Sequence, residues 1–150
     1  MQDISAEVFV VDNNSVDGSV AMVREKFPQA ICIANTDNVG FSKANNQAMR
    51  LAKGEYVLLL NPDTVVQEDT FTKCVAYMDA HPETGGMGVK MIDGMGNFLP
   101  ESKRGLPTPA VALYKLSGLI RLFPKSKTFG HYYMGHLPEN ETNNVEILAG

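Results

Sequence analysis

Apolar residues fall in short runs along the chain, and their lengths alternate between those of strands and those of helices. Val8-Phe9-Val10-Val11 is continuous, apolar and rich in β-branched residues, the pattern of a strand covered on both faces. It stops at Asp12-Asn13-Asn14-Ser15, where short polar side chains bond nearby backbone groups and favour turns and helix caps. A helix is predicted over residues 19–27, with Val20, Val23 and Phe27 on one face and Pro28 beyond its end. Residues 30–34 read as a second strand and 35–40 as a turn. A helix over 41–53 follows, with Phe41, Ala44, Ala48 and Leu51 along one face and Gly54 as its stop. Residues 55–60 give the strongest strand signal in the chain, and Pro62 enforces the break after it. Beyond it come a helix over 68–80 using Phe71, Val75 and Met78, a strand over 85–92 and an Asp93-Gly94 turn. The remainder is less regular. Residues 101–109 are basic and punctuated by proline, 110–123 suit an amphipathic helix and 125–144 read as a long loop. Val145-Glu146-Ile147-Leu148 resembles the start of another strand.

Strands alternating with helices across short connections imply βα units and a mostly parallel sheet, hence an α/β fold. Such sheets bind ligands at the carboxyl ends of their strands. Asp12, the 35–40 loop and Asp63 all fall at such ends, so three polar turns gather on one edge of the predicted sheet.

Composition narrows the class. The 150 residues are 44% hydrophobic and 20% charged, which suits one globular domain. A net charge of −4 argues against a general nucleic-acid binder, because phosphate backbones select basic surfaces. Cys32 and Cys74 sit in apolar stretches without metal or redox spacing and read as buried thiols in a reducing compartment. The start lacks the pattern of a secretory signal, and no apolar run approaches the roughly 20 residues of a membrane span. A soluble cytoplasmic protein is expected. The sequons at Asn13 and Asn140 are then chance matches, and His81, His131 and His136 show no ligand spacing.

The motifs carry a resemblance. Val10-Val11-Asp12-Asn13-Asn14-Ser15-Val16-Asp17-Gly18-Ser19 is similar to the first nucleotide-binding segment of family 2 glycosyltransferases of the GT-A fold. Asn38-Val39-Gly40-Phe41-Ser42-Lys43-Ala44-Asn45-Asn46 resembles their second segment. Leu58-Leu59-Leu60-Asn61-Pro62-Asp63-Thr64 looks like the variant of the Asp-x-Asp motif found in rhamnosyltransferase-like members. Order and spacing of the three also match. The first and third have plainer accounts: Asp17 or Ser19 as a helix cap, and Asp63 as the cap after a proline turn. A calcium loop at Asp12 fails because its glycine falls one position late.

The resemblance implies a Rossmann-like, doubly wound, mostly parallel but incomplete GT-A sheet, with residues 1–150 a partial nucleotide-sugar-binding domain and 104–144 a loosely ordered insert. It implies donor contacts from Asp12, Asn14, Ser15, Asn38, Gly40, Asn45, Asn61 and Asp63. Asp63 matches the metal-proximal carboxylate, with Mg²⁺ or Mn²⁺ bridging it to the diphosphate; Asn61 departs from the two-acid form and offers a neutral oxygen. The expected partners are a UDP- or dTDP-linked sugar, rhamnose among them, and a saccharide or lipid-linked acceptor of surface-polysaccharide synthesis.

Family members carry one strand and helix before the segment equivalent to Val8, so an unpaired sheet edge is expected, met by another copy, a rearranged strand or a gap. The carboxylate base of inverting members lies beyond the position of Gly150, so no catalytic residue is assigned and this chain alone is expected to be inactive. Lys103, Arg104, Lys115, Arg121, Lys125 and Lys127 suit either a solvated face or contact with anionic headgroups or a lipid-linked acceptor, which would make the protein membrane-associated. The competing functions are a non-catalytic nucleotide- or carbohydrate-binding module on the same fold and a nucleotidyltransferase, against which the 38–46 segment argues.

Overall fold

The first two apolar runs form parallel strands, β1 (Phe9–Asp12) and β2 (Ile31–Ala34), in the computed structural model, which describes residues 4–148. Phe9 pairs with Ile31, Val10 with Cys32, Val11 with Ile33 and Asp12 with Ala34. The crossover between them holds helix α1 (Ser19–Lys26), as a parallel pair requires. Helix α2 (Phe41–Met49) follows β2, and α3 (Thr70–Ala80) comes after the 61–64 turn. Later come α4 (Pro109–Leu116) and α5 (Leu119–Leu122), with single turns of 3-10 helix at Pro100–Ser102 and His131–Tyr133. None of the described helices is long and apolar enough to cross a membrane.

The chain divides into two units, residues 1–77 and 78–150. In the first, α2 packs on β1 and α1 on β2. Val23 of α1 and Ala44 of α2 are its buried apolar residues. The methyl of Ala44 lets the α2 backbone lie close to the strand, which a larger side chain would prevent.

In the second unit, α4 packs against α5 and the His131–Tyr133 turn, around Val111, Ile120 and Met134. Thr108 caps α4, its hydroxyl accepting from the Val111 N–H at 3.3 Å, and Pro109 opens the helix. Gly105 is enclosed: a side chain there would meet the His131 carbonyl oxygen at 2.6 Å.

Three predicted elements differ. Residues 55–60 join no ladder among the described residues, and Val57, Leu58, Leu59 and Leu60 are about half exposed or more. Their apolar run has the composition of a buried strand, but a strand forms only against a neighbour, and β1 has only β2 beside it among the described residues. Residues 85–92 likewise make a single antiparallel bridge, Ile92 to Phe98, around the Asp93 turn. The helix predicted over 110–123 is two helices, because Gly118 adopts φ 78° and breaks it. At the end of the described chain, Ile147 bridges Arg104 in place of a longer strand.

Candidate functional site

Asp12 closes β1, and its carboxylate turns back to accept the Ser15 N–H at 2.9 Å. The Ser15 hydroxyl and backbone N–H beside it hold the Asp12 carboxyl below the usual aspartate range, so the group is charged at neutral pH. The turn tightens at Asn14, which takes a left-handed φ of 69°. Gly18, not Asp17 or Ser19, is the N-cap of α1 and has no side-chain cap bond; Asp17, one residue earlier, accepts the Ser19 N–H at 3.0 Å and the Ser19 hydroxyl at 2.5 Å. That leaves Asp12, not Asp17, as the carboxylate presented at the strand end.

The second segment lies at the same edge, after β2. Asn38 accepts the Gly40 N–H at 3.0 Å, and Gly40 turns the chain into α2 at φ 82°, ψ 161°, a conformation essentially confined to glycine. Asn45 spends its amide on its own helix, donating to the Phe41 carbonyl at 3.0 Å.

Three residues not singled out in the sequence join these segments. Asn13 and Asn35 each follow the last residue of a strand. Asn35 Nδ2 donates to Asn13 Oδ1 at 3.2 Å and to Gln47 Oε1 at 3.0 Å, while Gln47 Nε2 donates back to Asn35 Oδ1 at 2.9 Å. The Asn35 N–H also reaches the Asp12 carbonyl at 2.9 Å, continuing the ladder. The signal was in the register: Asp12 pairs with Ala34, so an asparagine stands one step further along each strand. Partly buried amides that satisfy one another fix the spacing of two strand ends and a helix.

The third segment is a proline turn at 61–64, closed by the Thr64 N–H on the Asn61 carbonyl at 3.2 Å. Asn61 and Asp63 are exposed, and no hydrogen bond ties this turn to the other two segments among the described residues. The described residues hold no group of three or more His, Cys, Asp or Glu arranged for a metal. Asp63 offers one hard carboxylate beside the neutral amide of Asn61. That donor set suits a cation shared with a diphosphate, and does not suit an all-protein cage. A groove of about 320 Å³ runs along α2, lined by Val39, Lys43, Asn46, Gln47 and Arg50. It takes in neither Asp12 nor Asp63, but shares Gln47 with the amide network.

Comparison with known proteins gives the family. Residues 3–135 match the family described as Glycosyl transferase family 2. The chain is 33% identical over 78 residues to the minor teichoic acid biosynthesis protein GgaB of Bacillus subtilis, which is 50% of this chain and 9% of that protein. It is 29% identical over 121 residues to the poly(ribitol-phosphate) beta-N-acetylglucosaminyltransferase TarS of Staphylococcus aureus, 79% of this chain and 21% of that one. A poly(ribitol-phosphate) beta-glucosyltransferase of Bacillus spizizenii is 27% identical over 124 residues, 79% of this chain and 19% of the relative. The chain thus spans about a fifth or less of these relatives. No solved structure matches it.

Proposed function

The chain belongs to glycosyl transferase family 2, a family of GT-A fold, and on that premise we propose that it forms the donor-binding part of an inverting glycosyltransferase of surface-polymer synthesis. The observation that carries this reading is the Asp12 carboxylate, ionised and held by Ser15 at the end of β1, beside a second segment locked to it by Asn13, Asn35 and Gln47. A fixed anion at a strand end accepts hydrogen bonds from the N–H of a pyrimidine base or from ribose hydroxyls. Relatives named for poly(ribitol-phosphate) point to a phosphate-linked polyol chain as acceptor.

In the reaction, an acceptor hydroxyl oxygen bonds to the anomeric carbon of the donor sugar. The bond from that carbon to the diphosphate breaks, its electron pair leaves on the diphosphate, and the hydroxyl proton passes to a carboxylate base. We assign no residue of this chain as that base. Asp12 orients the nucleotide, and Gly40 and Asn38 shape the backbone entering α2. Asp63 would hold a Mg²⁺ or Mn²⁺ ion, which would supply Lewis-acid neutralisation of the charge on the leaving diphosphate.

Calorimetric titration with UDP-N-acetylglucosamine, UDP-glucose and dTDP-rhamnose in the presence of Mn²⁺ tests the reading and separates the donors. Saturable binding of one of them, weakened about ten-fold or more by Asp12→Asn, is expected. Binding of none, or binding indifferent to Asp12→Asn, overturns it. Within this reading Asp63→Ala removes the part of the affinity that depends on Mn²⁺, and leaves nucleotide binding measured in chelator unchanged.

A further inference from the structure

In the second unit, Arg104 and Lys115 face one aromatic ring. The Lys115 ammonium lies 4.1 Å from the centroid of Tyr132 and the Arg104 guanidinium 5.9 Å from the same centroid. Lys115 also stands 5.8 Å from the ring of Tyr133, which packs edge-on against Tyr132 at 4.7 Å. Neither cation has an ion pair among the described residues. Arg104 is half-buried, and its Nε is enclosed with no acceptor. The neighbouring acid, Glu146, is already engaged: it accepts the Leu106 N–H at 2.6 Å and bonds His131 Nε2 at 3.1 Å.

Two cations within 6 Å of one ring centroid and without an ion-pair partner leave that ring's surroundings net positive, which a bound anion would neutralise. The arrangement is also built. Arg104 is fixed by its bridge to Ile147, the Gly105 N–H bonds the Tyr132 carbonyl at 3.1 Å, and no side chain fits at Gly105.

We propose that Arg104, Lys115, Tyr132 and Tyr133 form a binding site for the phosphodiester groups of a polyol-phosphate acceptor chain. The cations take the phosphate oxygens, and the tyrosine rings supply flat faces for the C–H surface of the polyol. This rests on the acceptor reading above and places it on named residues. A membrane surface fits less well. Headgroup contacts favour exposed, splayed cations, such as Arg121, Lys125 and Lys127 offer, whereas Arg104 is half-buried between backbone and ring.

The test is fluorescence anisotropy of a labelled ribitol-phosphate oligomer titrated with the whole chain. Salt-sensitive binding is expected, absent for the unphosphorylated polyol. Arg104→Gln and Lys115→Gln should each weaken it about ten-fold. Lys115 is exposed, so K115Q keeps the test informative should Arg104→Gln impair folding. Tyr132→Phe should retain binding and Tyr132→Leu should lose it. Oligomer affinity unchanged in K115Q overturns the proposal. So does binding to phosphatidylglycerol vesicles with none to the oligomer. Asp12→Asn should leave oligomer affinity intact, and K115Q should leave donor affinity intact, so failure of the donor site and failure of this one are read separately.

Discussion

The side-chain amides of Asn35 and Gln47 face each other in a reciprocal pair, at 3.0 Å one way and 2.9 Å the other. Asn35 stands just past β2 and Gln47 in the last turn of α2, so the pair ties the helix to the strand end. Because Asn35 also donates to Asn13, the tie extends to the turn that carries Asp12. Gln47→Ala removes two partly buried hydrogen bonds and leaves the Asn35 amide short of partners. A loss of about 1 to 2 kcal/mol in urea denaturation is expected. Donor affinity should fall as well, although Gln47 is assigned no ligand contact. Stability lost with donor affinity unchanged would make the network a packing feature and nothing more.

Asp12 gives a prediction in pH. Ser15 lowers its folded pKa, so the carboxylate's contribution is complete above the ordinary aspartate range and is lost only as pH falls through the lower folded value. Donor binding should therefore stay level on acidification from neutrality down to the ordinary aspartate value near about pH 4, and decline only below it. Ser15→Ala withdraws the hydroxyl, raises that pKa toward its ordinary value, and should move the decline to higher pH. A decline at the same pH in both proteins would show that another group governs the binding.

The first half of the fold was legible because its signals are local. The β-branched runs at 8–11 and 30–34 and the apolar periods of α1 and α2 are local, and the structure places these elements within a few residues. Even so, α2 ends at Met49, ahead of Gly54, and neither helix has a side-chain N-cap. Residues 55–60 were legible only as composition. Whether an apolar run becomes a strand depends on a neighbour that the run does not encode, and no described residue supplies one. The break at Gly118 lay in plain sight as a glycine inside a helical pattern, but the pattern alone does not say when a helix ends there. At the site, the Asp12 turn and Gly40 were readable from residue type. The amide network was not, because it depends on which positions the parallel register sets side by side. The Arg104–Tyr132–Lys115 cluster joins residues far apart in sequence, and only their cationic character was visible beforehand.

Gly40 separates backbone strain from steric crowding. Nothing lies within 4 Å of where its Cβ would stand, so a methyl there meets no obstacle. Its φ of 82° with ψ of 161° nonetheless excludes other residues. Gly40→Ala should cost about 1 to 3 kcal/mol through the backbone alone, and D-alanine at this position, introduced by chemical synthesis, should recover most of it. Gly18, at φ 83° and ψ 5°, is in the ordinary left-handed region and is also uncrowded. There, Gly18→Asn should be milder than Gly18→Val, because asparagine tolerates that region and a β-branched residue does not. Equal thermal midpoints for Gly40→Ala and the wild type would mean that the chain enters α2 by another path.

Glu146 tests how the end of the described chain is held to the 104–106 segment. Its carboxylate accepts the Leu106 N–H and lies beside His131, and the first of these, with the charge of His131 behind it, keeps its pKa below the usual glutamate range. A depressed folded pKa means a contribution that is complete above the unfolded value and is lost as pH falls through the folded one. Glu146→Gln keeps the shape but withdraws the charge. Its thermal midpoint should lie below that of the wild type at pH 7, and the two should converge on acidification below about pH 4. The Arg104–Ile147 bridge stands next to this contact, so hydrogen exchange at Ile147 should quicken in the variant over the same range. A gap that widens toward low pH has the opposite sign, and would mean that Glu146 is destabilised by its surroundings instead of held by them.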